Sequence, residues 1–85
     1  MVLTQTKLES RLAFTLLDLV DFFGYEEDGK TIAVELKRKE LASLSSMNTA
    51  NVIRMLAYFK KLNIIDLKLK RIQILKLELL KNRVD

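Results

Sequence analysis

Ala50, Ile53, Arg54 and Ala57 recur at the i, i+3, i+4 and i+7 spacing that places side chains on one face of a helix. Val52, Met55, Leu56 and Phe59 in the same stretch form an apolar stripe that reads as the side turned to a core. The outer face therefore carries one guanidinium among small or aliphatic side chains. Small residues let a helix sit deep in a groove. Arginine is the side chain best matched to the O6 and N7 acceptors of guanine, which it meets as a bidentate pair. Thr49 and Asn51 stand at the start of this helix, where open backbone amides and the helix dipole favour a phosphate. Thr49 is in reach of either a phosphate or a base edge. Two further basic sets flank the helix: Lys37, Arg38 and Lys39 before it, and Lys68, Lys70 and Arg71 after it. Each would meet a phosphate backbone.

Each set also has a plainer explanation. Ala50, Ile53 and Ala57 could be a helix face packed on a second protein. Arg54 could be an ion-pair partner of Asp66 or Glu40. The Lys37–Lys39 run could be three solvated charges.

These side chains need elements to position them. Leu8, Leu12, Leu16, Leu19, Val20 and Phe23 recur at helical spacing, widened by Ala13, Phe14 and Leu17, and predict a helix over about 5–23 with Thr4 or Thr6 near its N-cap. The stripe is wide for a surface helix, so part of it is expected to pack on something outside this chain. Gly24 to Gly29 is a loop with Gly24 at the helix end. Alternation over 31–36 predicts a strand with Ile32, Val34 and Leu36 on its buried face. A short helix over about 38–45 with Leu41 and Leu44 inward, a break at 45–48 and a helix over 49–62 capped by Asn48 follow. Residues 64–67 and 71–75 read as two strands joined by a tight hairpin, and 77–81 as a last turn of helix. The expected fold is α+β: a winged helix-turn-helix, a three-helix core with a small antiparallel wing, as a single domain over 1–85. The helix-turn-helix lies at about 38–62 and the wing at about 64–75.

Composition narrows the chemistry. The chain has 85 residues, enough for one modest core. It holds no cysteine and no histidine, which rules out disulfides, thiolate or imidazole zinc sites, and Cys–His or Ser–His–Asp catalysis. The remaining carboxylate cluster, Glu26-Glu27-Asp28, lies in a loop with no evident pocket, so no enzyme, cofactor or metal is expected. No apolar run is long enough for a membrane span, and no basic-then-apolar signal opens the chain; a cytoplasmic domain without membrane contact is expected. The net charge of +4 is unevenly spread: residues 1–36 carry three basic and seven acidic side chains, residues 37–85 twelve and four. A basic half joined to an acidic half suggests one surface facing a polyanion.

The run from Arg38-Lys39-Glu40-Leu41-Ala42 through Asn51-Val52-Ile53-Arg54-Met55-Leu56 to Ile64-Ile65 resembles the DNA-binding module of the bacterial Crp–Fnr regulators, approximately T-R-x-E-L-A-x-x-x-G-x-S-x-E-T-V-x-R-x-L-x-x-L-x-x-x-G-x-I. Upstream, Ser10-Arg11-Leu12-Ala13-Phe14-Thr15-Leu16-Leu17-Asp18-Leu19 resembles the family's helix after the hinge. The resemblance implies sequence-specific binding of double-stranded DNA in transcription regulation. Arg54 then reads a guanine, and Thr49 and Ala50 fall where members vary their base contacts. The expected base contacts are Thr49, Ala50, Ile53 and Arg54; the expected phosphate contacts are Lys37, Arg38, Asn51, Lys68, Lys70 and Arg71. The resemblance also implies a homodimer in the full-length protein, reading half-sites about 34 Å apart, with RNA polymerase a candidate partner and weak association or a monomer for this piece. The family's N-terminal β-barrel sensor domain and dimer helix are absent from the sequence, so the chain is expected to be part of a longer regulator. The alternative is a winged helix used for protein–protein contact without nucleic acid. Four positions depart from the pattern: Ala50 where an acidic residue is common, Ser46 in place of the turn glycine, Lys37 in place of a threonine N-cap, and Leu69 near a wing glycine. A left-handed serine at 46 would cost roughly 1 kcal/mol.

Overall fold

Helix α1 (Leu3–Phe23) opens the computed structural model, which describes the backbone of residues 3–84 and the side chains of 8–84. Because α1 begins at Leu3, Thr4 and Thr6 lie inside it rather than at its cap, and their side chains fall outside those described. Leu12, Ala13, Leu16 and Leu19 are its buried stripe. Phe23, expected on that stripe, and Phe14, expected to widen it, are 43% and 60% exposed. Helices α2 (Arg38–Ser45), α3 (Thr49–Lys61) and α4 (Leu77–Lys81) all pack on α1, and they cover too little of it to enclose so broad an apolar face.

Three helices end at a residue in the left-handed region, and each stop is local chemistry. Gly24 (φ 74) closes α1, its N–H donating to the Val20 carbonyl at 2.8 Å. Ser46 (φ 57) closes α2, with Met47 N–H donating to Ala42 O at 2.9 Å. Asn63 (φ 61) closes α3, with Ile64 N–H donating to Phe59 O at 3.0 Å. The last two satisfy carbonyls that a helix end would otherwise leave open. Glycine and asparagine tolerate this conformation, whereas serine is strained in it. Ser46→Gly is therefore expected to raise stability by about 1 kcal/mol, read as a higher urea midpoint; an unchanged or lower midpoint would show that the serine side chain offsets its strain.

The strand expected over 31–36 forms only in part. Thr31 and Ile32 make isolated bridges, to Gln73 and Tyr25, and Ile32 N–H donates to Ile72 O at 2.9 Å. The chain then bends: Val34 N–H donates back to Ile32 O at 2.8 Å, and Val34 and Leu36 are only half-buried against the core. The reason is topological, since the segment must leave the sheet to begin α2 at Arg38.

Asp28 holds the loop before this segment. Its carboxylate accepts the Thr31 hydroxyl, Lys30 N–H at 2.9 Å and Thr31 N–H at 2.8 Å. These bonds, led by the Thr31 hydroxyl, lower its pKa to about 2. A carboxylate with a depressed folded-state pKa stabilises the fold fully above its unfolded value and loses that contribution as pH falls through the folded one. Asp28→Asn should thus unfold at lower urea than wild type near neutral pH, with the gap closing as pH falls from about 4 to about 2. A gap that persists unchanged to the acid end would place the loss elsewhere.

Strands β1 (Ile65–Lys68) and β2 (Arg71–Ile74) pair antiparallel from Ile65↔Ile74 to Lys68↔Arg71, leaving Leu69 and Lys70 as a two-residue loop. The hairpin is tighter by one residue than the expected three-residue connection. The core gathers the α1 stripe with Leu41, Val52, Leu56, Phe59, Ile64 and Leu80, all essentially inaccessible. Leu44, expected inward, is 57% exposed; Ala42 and Ser45 take the buried side of α2 beside Leu41. The Ser45 hydroxyl is satisfied by donating to Leu41 O at 2.6 Å, so a polar residue is tolerated there.

Candidate nucleic-acid interface

The turn between α2 and α3 is built from short-range bonds and braced by one long-range bond. Lys37 N–H donates to Glu40 Oε1 at 2.7 Å, the half of a capping box that survives without a side-chain acceptor at position 37. Asn48 caps α3, its Oδ1 accepting Asn51 N–H at 2.7 Å. From α1, Arg11 Nη1 donates to Ser46 O in the turn at 3.2 Å. Residues 35 apart in sequence make this brace, so no local pattern announces it.

Val52, Met55, Leu56 and Phe59 are the buried stripe of α3. Thr49, Ala50, Ile53, Arg54 and Ala57 are all exposed, with Ile53 at 52%. Arg54 Nη2 donates to Asn51 Oδ1 at 3.0 Å, which holds the guanidinium along the outer face toward the helix start. Arg54 makes no ion pair among the described residues. The two carboxylates offered as its partners are engaged elsewhere: Asp66 with Lys60 at 4.0 Å and Lys68 at 3.5 Å, Glu40 with Lys37 N–H. Asn51 serves the helix as well as Arg54, since its N–H is taken by the cap.

Asp66 joins the wing to α3. Its pKa is lowered, chiefly by the Leu67 N–H it accepts at 2.9 Å and further by Lys68 and Lys60. Lys60 follows Ile53 by two helical turns, so the wing borders the Ile53 edge of the outer face. The other edge is closed by Tyr58, with the Arg83 guanidinium 5.9 Å from its ring centroid and 3.0 Å from Glu9. Leu36 N–H donates to Lys70 O at 3.1 Å, which sets Lys37 and Arg38, at the entrance to α2, beside the wing. Lys68, Lys70 and Lys37 are exposed and Arg38 is half-exposed. Arg71 is placed differently from Lys68 and Lys70. Its guanidinium pairs with Glu26, and its Nε lies 3.7 Å from Glu35, so although it flanks the hairpin loop opposite Lys68, two carboxylates neutralise it. Sequence spacing places Arg71 correctly beside the tip, but those partners lie far upstream, so its neutralisation leaves no local signal.

Among the described residues no three His, Cys, Asp or Glu side chains come together to hold a metal, and no helix is long and apolar enough to cross a membrane.

A short helix, a tight left-handed turn, a longer helix with one face exposed, and a two-stranded hairpin at its edge define a winged helix-turn-helix protein. The chain belongs to the Crp-like helix-turn-helix domain family, whose model matches residues 10–83. Solved structures agree in fold. The catabolite activator protein of Thermus thermophilus superposes with a TM-score of 0.80 at 21% identity, over 96% of this chain and 36% of that one. FixK2 from Bradyrhizobium japonicum gives 0.80 at 16% identity over 92% and 38%. TTHA1359, a CRP/FNR-family transcriptional regulator also from Thermus thermophilus, gives 0.79 at 26% identity over 88% and 39%. The chain thus spans little more than a third of the length of these proteins. No curated protein sequence matches it.

Proposed function

We propose that this chain binds double-stranded DNA sequence-selectively as the reading head of a transcription regulator, with α3 in the major groove. The observation that carries the reading is Arg54: exposed on the face opposite the core, oriented by Asn51, and without a carboxylate partner among the described residues. In that pose Arg54 meets a guanine, while Thr49, Ala50 and Ile53 approach neighbouring base edges. Asn48 caps only the Asn51 amide, so the Thr49 and Ala50 amides at the helix start remain directed to a phosphate. Lys37, Arg38, Lys68 and Lys70 supply further phosphate contacts; Arg71 contributes through Glu26 and Glu35 to wing stiffness instead. In a longer regulator two copies would read adjacent half-sites about 34 Å apart, and RNA polymerase would be met in that setting.

The test is selection of duplexes from a random pool, followed by titration of the selected and a scrambled duplex at two salt concentrations. Preference for the selected duplex, with affinity falling steeply as salt rises, is expected. Equal affinity for both duplexes removes the selective reading. No binding to either favours protein contact instead, for which exposed Phe14, Phe22 and Leu44 offer apolar surface.

A further inference from the structure

Leu69 is the most exposed large apolar residue among the described residues, 94% accessible, and it stands first in the two-residue hairpin loop with φ 58. Glycine is the residue that this position of a tight hairpin favours. A leucine there is unfavourable twice over: its backbone is strained, and its side chain packs on nothing. Strain kept where a glycine would relieve it points to use of the side chain. Both neighbours, Lys68 and Lys70, are exposed cations. An apolar tip between two cations matches a surface with anionic rims and an apolar floor.

The wing's position specifies that surface. The Lys60–Asp66–Lys68 ion pairs tie β1 to the Ile53 edge of the outer face of α3. With α3 in a major groove, an element beside that edge crosses one phosphate strand and meets the next groove, which in a duplex is the minor one. We infer that Leu69 enters the minor groove of duplex DNA beside the site read by α3 and wedges against a base step, with Lys68 and Lys70 on the two flanking phosphate strands. Leucine is among the side chains that partly unstack base steps in this way. The inference rests on the DNA-binding reading above and adds to it a second contact of different chemistry.

The test uses the whole chain and the tightest duplex from the selection, with 2-aminopurine placed in turn at each flanking position. Four variants separate strain from contact. L69A removes the side chain and keeps the strain; L69G and L69N remove both; L69M keeps an apolar reach. L69G is expected to melt roughly 4 °C or more above wild type, because glycine accepts the left-handed backbone. L69A, L69G and L69N are nonetheless expected to bind about tenfold more weakly, with L69M near wild type. The slope of affinity against salt should stay unchanged, because the lysines remain. Wild type should brighten 2-aminopurine at one flanking step, and L69A should not. Affinities of L69A and L69G within about twofold of wild type, with the same fluorescence, overturn the wedge and leave the DNA-binding reading standing. A lowered salt slope in L69A also overturns it, because the loss then belongs to displaced lysines. Failure of wild type to bind any duplex overturns both readings.

Discussion

Phe59→Ala is expected to remove a large share of the domain's stability. Phe59 is fully inaccessible at the C-terminal end of the α3 stripe, and its carbonyl accepts the Ile64 N–H that turns the chain from helix into wing. Truncating a buried phenylalanine removes its transfer free energy and leaves a cavity, together about 3–5 kcal/mol. A domain of this size has a total stability of about 5–10 kcal/mol, so the loss is a large share of it. At about 4–8 °C per kcal/mol the melting temperature should fall by roughly 12 °C or more. Circular dichroism melts of the two proteins measure this directly. A fall of only a few degrees would mean that the core around α3 is loosely packed and collapses into the space. Phe59→Leu keeps most of the volume and should fall between the two.

Arg54→Ala carries the largest expected effect on binding. A bidentate contact to guanine is worth about 1–3 kcal/mol of discrimination, which corresponds to a roughly 5- to 150-fold loss of preference for the selected duplex over one with that guanine replaced. Lysine cannot reproduce the two-donor fork, so Arg54→Lys should recover general affinity more than selectivity. Arg54 lies on the surface with no carboxylate partner among the described residues, so its removal should leave the melting temperature nearly unchanged. The measurement is titration of both duplexes with wild type and both variants. If Arg54→Ala weakens every duplex equally, the guanidinium serves a phosphate and the base reading is wrong. Asn51→Ala tests the support of Arg54 in the same assay: loss of the 3.0 Å bond frees the guanidinium to take other rotamers.

Much of this molecule is legible in one dimension because its decisive features are short-range. The i, i+3, i+4 pattern of Val52, Met55, Leu56 and Phe59 marks the buried side of α3 and so the side left for Arg54. Asn48 caps α3 as its residue type and position indicate, since a cap needs only an acceptor near its own backbone. The left-handed turn at Ser46 is likewise readable from the place where the family pattern has glycine. Where the reading fails, one pattern fits two arrangements. Leu44 is apolar at helical spacing from Leu41, yet α2 contacts the core through only one narrow strip, and the small Ala42 and Ser45 lie on it. Alternation over 31–36 is compatible with a strand, but among the described residues β-bridges form there at Thr31 and Ile32 alone, while Ala33 and Leu36 make single hydrogen bonds to Gly24 and Lys70.

By itself the sequence determined the helices, their stops, the hairpin and the identity of the guanidinium set among small or aliphatic side chains on the α3 outer face, because each depends on residues within a turn or two of one another. Tertiary structure alone decided which charges are spent. It joined Arg71 to Glu26 and Glu35, Asp66 to Lys60, and Arg11 to the Ser46 carbonyl. It left Arg54 and the tip of the wing turned outward. Coulomb attraction and hydrogen bonding act through space over a few ångströms, so a partner tens of residues away along the chain leaves no periodic trace until folding brings the two side chains together.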